Sequence, residues 1–146
     1  MAKRIIGECL CGKVSFQIDG DLPNLYQCHC SLCRKVTGSS ANAATFVDSD
    51  SFRWVSGQDK ISSFKKPTGY RSDFCSNCGS PVPNPLRGMA LMWVPAGLLD
   101  GPLDSAVSVH LHLDSAANWA RDTEKCLRLG AGPESLLGLQ QALGKS

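Results

Sequence analysis

Hydrophobic and polar positions alternate over the stretch from Val14 to Ile18, where Val14, Phe16 and Ile18 are separated by Ser15 and Gln17. This period of two is that of a strand with one buried face, and Gly20 and Pro23 end it. Cys9 to Gly12 reads as the turn before that strand. The same criteria predict short strands over 25–27, 42–47, 52–55, 60–64, 70–74, 89–94 and 107–113, all rich in β-branched or aromatic residues and bounded by glycine, proline or serine. No sustained helical period interrupts them, so the chain reads as all-β, built from packed sheets. Pro81, Pro83 and Pro85 alternate within PVPNP and remove three backbone donors from one side, which makes that segment a sheet edge or an irregular wall. After Asp114 the composition changes. Pro133 and Glu134 followed by Leu136, Leu137, Leu139 and Leu143 predict a short C-terminal helix with proline near its first turn, weakened by Gly138. The organisation expected is a β domain over 1–124 and a tail with a helix packing on it over 125–146, with no internal repeat beyond recurring cysteine turns.

A chain of 146 residues with 42% hydrophobic and 19% charged residues has material for one core. No apolar run approaches the ~20 residues of a membrane-spanning helix. A formal charge of +2 lacks the strongly basic signature of a nucleic-acid binder, and seven thiolates around two divalent ions would reverse its sign. The expected partners therefore include neither nucleic acid nor membrane. The amino terminus has a basic start but no apolar stretch or small-residue cleavage site, which places the chain in a reducing cytoplasm where disulfides are rare.

Chemistry is concentrated in the cysteines. Seven of eight fall into three tight turns: Cys9-Leu10-Cys11-Gly12, Cys28-His29-Cys30-Ser31-Leu32-Cys33 and Cys75-Ser76-Asn77-Cys78-Gly79. Zinc ligands must converge on one tetrahedral point, and two cysteines in a short turn direct both sulfurs there. Two four-coordinate ions need eight ligands, so seven leave one position open, the mark of a catalytic rather than a structural zinc. The economical partition closes one site with Cys9, Cys11, Cys75 and Cys78 and leaves the other to Cys28, Cys30 and Cys33. A three-plus-one arrangement is the alternative that spacing leaves open. Two plainer readings compete: His29 or Cys126 supplies an eighth ligand and both ions are structural, or the second group binds no metal. His29 points away from its neighbours if 28–30 is extended, and Cys126 stands alone in RDTEKCLRL as a small hydrophobe.

The segments GECLCGKVSFQI, YQCHCSLCRKVTGSS, FCSNCGSPV and HLHLDSAANW, the last with His110 and Trp119, resemble the glutathione-dependent formaldehyde-activating enzyme family, which also includes centromere protein V. The likeness runs from Gly7 to about Asp122. It implies a β-tent of small antiparallel sheets stapled by zinc, with Cys9, Cys11, Cys75 and Cys78 as structural ligands and Cys28, Cys30 and Cys33 holding a second zinc. It also implies joining of formaldehyde to glutathione as S-(hydroxymethyl)glutathione, a carbon–sulfur lyase reaction in the reverse sense. The chain looks like a compact, generic member, and the resemblance places no glutathione-contacting residues on it.

Three thiolates lower the Lewis acidity of a zinc ion, so such a site suits a small thiol substrate better than water activation. Arg34 and Lys35 follow the last ligand and could hold a substrate carboxylate, and His29 could shuttle the thiol proton. The competing class is a non-catalytic, zinc-stabilised protein-interaction module, which exposed Trp54, Trp93 or Trp119 would favour. A nucleobase deaminase would need a glutamate near the first ligand and a P-C-x-x-C turn, and neither is present.

Overall fold

The computed structural model describes residues 3–121 and 123–144; Asp122, where the resemblance ends, lies outside the described residues. The first strand, β1 (Arg4–Glu8), is one that periodicity does not single out. It pairs antiparallel with β2 (Ser15–Asp19), the alternating run of the sequence. Phe16 and Ile18 are buried as expected, and Gln17 is buried as well. Its amide is satisfied on both sides, accepting from Arg53 Nη2 at 2.8 Å and donating to Asp19 Oδ1 at 2.8 Å, so a polar residue survives there without an unpaired group.

The remaining strands are β3 (Leu25–Cys28), β4 (Asn42–Asp48), β5 (Phe52–Ser56), β6 (Ile61–Lys65), β7 (Arg71–Cys75), β8 (Asn84–Pro85), β9 (Leu91–Pro95) and β10 (Val107–Leu111). They form three small sheets, ordered β1-β2-β5, β10-β3-β4-β9-β8 and β6-β7. The first two pack face to face through Phe16 and Ile18 against Val47, Met92 and Val94. A second cluster of Cys9, Val14, Cys75 and Val82 joins the first sheet to the β6-β7 hairpin. The proline-rich run is an edge, as its missing donors require: β8 is the outermost strand of its sheet and pairs only with β9.

Three expectations change. The sheets are not wholly antiparallel, because β10 runs parallel to β3. The β10 strand also stops at Leu111 rather than residue 113, since His112 adopts a left-handed φ of 56° and turns the chain. A helix, α1 (Ser31–Thr37), lies between the second cysteine group and β4; at 7 residues it is too short to display a hydrophobic period. The C-terminal helix α2 (Leu136–Leu143) starts after Ser135, whose Oγ accepts from Gly138 N at 2.9 Å, so Pro133 lies outside it. Leu136, Leu137 and Leu143 of this helix are exposed. Among the described residues no helix is long and apolar enough to cross a membrane.

Gly7 faces Phe16 across the β1-β2 pair. A Cβ there would stand 2.7 and 2.8 Å from Phe16 Cε2 and Cε1 and closer still to Cζ. Because the ring is fully buried and stacked on Phe52 at 5.3 Å, it has no free space to yield into. Gly7→Ala should cost about 1–3 kcal/mol, read as a lower denaturation midpoint. A midpoint equal to wild type would mean that the Phe16 ring can shift aside without loss.

Candidate functional site

The first cysteine group is assembled by two turns of like geometry. After β1, Cys9 N donates to Val14 O at 3.0 Å and Gly12 N to Cys9 O at 3.0 Å. After β7, Cys75 N donates to Ser80 O at 2.9 Å and Gly79 N to Cys75 O at 2.7 Å. Gly12 and Gly79 hold φ values of +78° and +80°, a region that glycine enters without strain and that lets each turn fold back under its sulfurs. Leu10 N donates to Ser80 Oγ at 2.9 Å and locks the turns together.

The sulfurs of Cys9, Cys11, Cys75 and Cys78 lie within 4.8 Å of one another. Cys9 Sγ and Cys11 Sγ are 3.6 Å apart, and Cys11 Sγ and Cys75 Sγ 3.8 Å. A tetrahedron with metal–sulfur bonds of about 2.3 Å has edges of about 3.8 Å, so the donor set fits zinc. The surroundings favour thiolates: Val14 N donates to Cys9 Sγ at 3.3 Å, and the Ser80 hydroxyl and amide bring the Cys78 thiol down to about 5. Burial pushes Cys9 the other way. This four-sulfur group can hold a metal ion with no position left for substrate.

The second group is built at a strand end and a helix start. Cys28 is the last residue of β3, Cys30 caps α1, and Cys33 sits in its first turn, so a change of secondary structure within six residues turns three side chains towards one point. The three sulfurs lie within 4.8 Å of one another. Cys33 N donates to Cys30 Sγ at 3.4 Å. Burial opposes ionisation of Cys30, but that amide and the neighbouring thiols together bring it below the ordinary thiol range, whereas burial and the two adjacent thiols push Cys33 well up. Three sulfurs this close resist joint ionisation unless a cation shares the site, which again fits a soft divalent metal.

Cys28 and Cys33 line a cavity of about 820 Å³. Tyr26, Tyr70 and Trp93 wall it, and Trp93 Nε1 donates to Tyr26 Oη at 2.6 Å. Burial raises both phenols above their usual range, so each keeps its proton and remains a donor. Four basic residues that sequence reasoning passes over, Lys65, Lys66, Arg71 and Arg87, line the same space, with Arg71 paired to Asp73. They come from around the β6-β7 connection and from the turn before β9, and no local motif marks them.

The other candidates raised by the sequence, His29, Arg34, Lys35 and Cys126, lie elsewhere. His29 Nε2 meets His110 Nδ1 at 3.0 Å on β10, neither ring nitrogen joins the three-sulfur group, and its Nδ1 is buried with no partner among the described residues. Arg34 does not line the cavity. Lys35 borders an adjoining hollow of about 380 Å³ with Leu32, Val36, Phe64 and Phe74. Cys126 is exposed in the tail and belongs to neither cysteine group. Of the tryptophans, Trp54 packs on the core while Trp119 is 65% exposed.

Residues 4–115 match the family described as glutathione-dependent formaldehyde-activating enzyme. A Halomonas elongata protein, itself provisionally named a glutathione-dependent formaldehyde-activating enzyme, is 31% identical over 153 aligned positions, covering 94% of this chain and 95% of the relative. A crystal structure of a Rhodobacter sphaeroides protein shares the fold at a TM-score of 0.55 and 22% identity, covering 70% of this chain and 99% of that one.

Proposed function

The chain belongs to the glutathione-dependent formaldehyde-activating enzyme family, and from that premise we propose that it is a cytoplasmic, zinc-dependent carbon–sulfur lyase-type enzyme acting on a small thiol or its aldehyde adduct. The observation that carries this reading is the position of the three-cysteine group: Cys28 and Cys33 open onto a large cavity, whereas the four-cysteine group is closed by its own sulfurs. The proposed complement is two zinc ions per chain, one structural at Cys9, Cys11, Cys75 and Cys78, one at Cys28, Cys30 and Cys33. Cys28, Cys30 and Cys33 would hold the second ion, and the chemistry it would supply is Lewis acidity that lowers the pKa of a substrate thiol.

In the condensing direction the thiol sulfur forms a bond to the aldehyde carbon while the carbonyl π pair moves to oxygen, which takes up the proton released by the thiol. Cleavage is the reverse. The cysteines position the reacting sulfur, and Tyr26 or Tyr70, both protonated and both in the cavity wall, supplies a hydrogen bond to the developing oxygen. His29, Arg34 and Lys35 have no part in this reading because none lines the cavity.

Cobalt-substituted protein titrated with glutathione tests it. A thiolate entering the coordination shell should intensify and shift the visible charge-transfer bands at millimolar thiol, and glutathione with formaldehyde should turn over. An unchanged spectrum would favour the non-catalytic interaction module, for which the exposed Trp119 is the supporting observation. Spectral change without turnover would retain the thiol site and discard the named reaction.

A further inference from the structure

Beside the cavity lies the adjoining hollow of about 380 Å³, which the proposed reaction leaves unused. One of its walls is the α1 helix, whose Leu32 and Val36 are four residues apart and so share a face. The other is the β6-β7 hairpin. Its register sets Ser62 opposite Phe74 and Phe64 opposite Ser72, so both phenylalanines stand on one face while Ser63 and Asp73 stand on the other. The usual placement is inverted here: Asp73 is buried and satisfied by Arg71 and Ser63, whereas Phe64 is 57% exposed. No residue of α1 is buried either, so helix and hairpin face each other across apolar surface that neither element fills.

The hollow is continuous with the cavity. Val36, Lys66, Tyr70, Ser72 and Pro81 line both, and Leu32 directly precedes Cys33 of the three-sulfur group. No aspartate or glutamate lines the hollow, and its two lysines, Lys35 and Lys66, bring aliphatic stems as well as charge. Tyr70 stands at the junction, so a carbonyl compound whose oxygen takes the Tyr70 hydrogen bond can extend its substituent into the hollow. Formaldehyde has no substituent to place there. The space equals that of about a dozen molecules of liquid water, which is room for a chain of several carbons. Such a chain binds by the apolar area it removes from water, both its own and that of Leu32, Val36, Phe64 and Phe74.

We propose that the hollow between α1 and the β6-β7 hairpin receives an apolar substituent on the carbonyl partner, so that the site favours aldehydes bearing an alkyl arm over formaldehyde. The step itself is unchanged: the sulfur–carbon bond forms, the carbonyl π pair moves to oxygen, and the thiol proton ends there. This rests on the thiol-adduct reading above and adds to it the class of carbonyl substrate.

Two series test it. Enzymatic addition of glutathione to propanal, butanal, pentanal and hexanal, which are alike at the carbonyl, should rise in kcat/KM by about twofold per methylene in zinc-loaded wild type. A fully buried methylene is worth about fourfold, and one in a hollow with an open side about twofold. In calorimetric titrations S-hexylglutathione should bind roughly thirtyfold tighter than S-methylglutathione, neither having a thiol to react. Phe64→Ser should cut that preference below about tenfold and Phe64→Leu should keep most of it, with melting temperatures near wild type because Phe64 is more than half exposed. A level aldehyde series, equal or undetectable binding of the two thioethers, or a Phe64→Ser variant with the full preference would overturn the inference even where thiols perturb the cobalt bands. The hexyl preference present while no thiol alters the cobalt spectrum would sustain the apolar site and defeat the thiol reading. A wild-type dimer in sedimentation that Phe64→Ser dissolves would give the hollow to a second copy and overturn the carbonyl assignment.

Discussion

Cys75→Ser should take the domain to or below the limit of folding. Cys75 is fully buried, and its sulfur meets that of Cys11 from 64 residues away. A tie across a loop of that length restrains the unfolded chain by about 4 kcal/mol in the loop-closure estimate, before any direct metal-binding energy is counted. A serine hydroxyl in the same place adds a desolvation cost of about 1–3 kcal/mol. The combined loss compares with the whole stability of an ordinary domain, about 5–15 kcal/mol. Thermal melts of zinc-loaded protein provide the measurement, with Cys11→Ser as the discriminating control. Cys11 is exposed, so its replacement removes a ligand without disturbing packing. If Cys11→Ser melts like wild type while Cys75→Ser does not, the cluster matters for packing alone and not as a metal clamp.

Cys30→Ser should do the opposite, lowering turnover by roughly a hundredfold or more while moving stability by less than about 1 kcal/mol. The three sulfurs of this group come from a span of six residues, so their metal closes almost no loop. Cys30 also caps α1 by accepting from Cys33 N at 3.4 Å, and serine is among the best residues for that role. The helix therefore survives the substitution that removes a ligand. Native mass spectrometry should show one bound zinc in place of two, with Tm near wild type. Two retained ions and undiminished turnover would remove Cys30 from the site. A fall in Tm matching that of Cys75→Ser would mean that the two groups do not divide structural and substrate-binding work.

The part of this protein that is legible in its sequence is the part fixed by short-range geometry. The alternation at Val14 to Ile18 settles which side chains of β2 face inward, because the strand repeat is two whatever lies opposite. Cysteines one or two residues apart converge for the same local reason, and the alternating prolines exclude a central strand by lacking donors. The α1 helix is not legible, since 7 residues hold less than two full turns of evidence and its cap is a cysteine rather than a usual capping residue. The parallel pairing of β10 with β3 is equally hidden: local pattern carries no strand direction, and the whole of 29–106 lies between the two strands. Arg34 and Lys35 directly follow Cys33, yet helical rotation carries them off the cavity wall, while Lys65, Lys66, Arg71 and Arg87 arrive there from around the β6-β7 connection and from the turn before β9. The sequence by itself determined the sheet-rich fold and the three cysteine turns, because strand alternation and short turns act over a few residues, whereas the joining of the Cys9 and Cys75 turns into one group needed the fold. The tertiary structure alone decided which group opens onto a cavity and which charges line it, because those depend on loops brought together only when the three sheets pack.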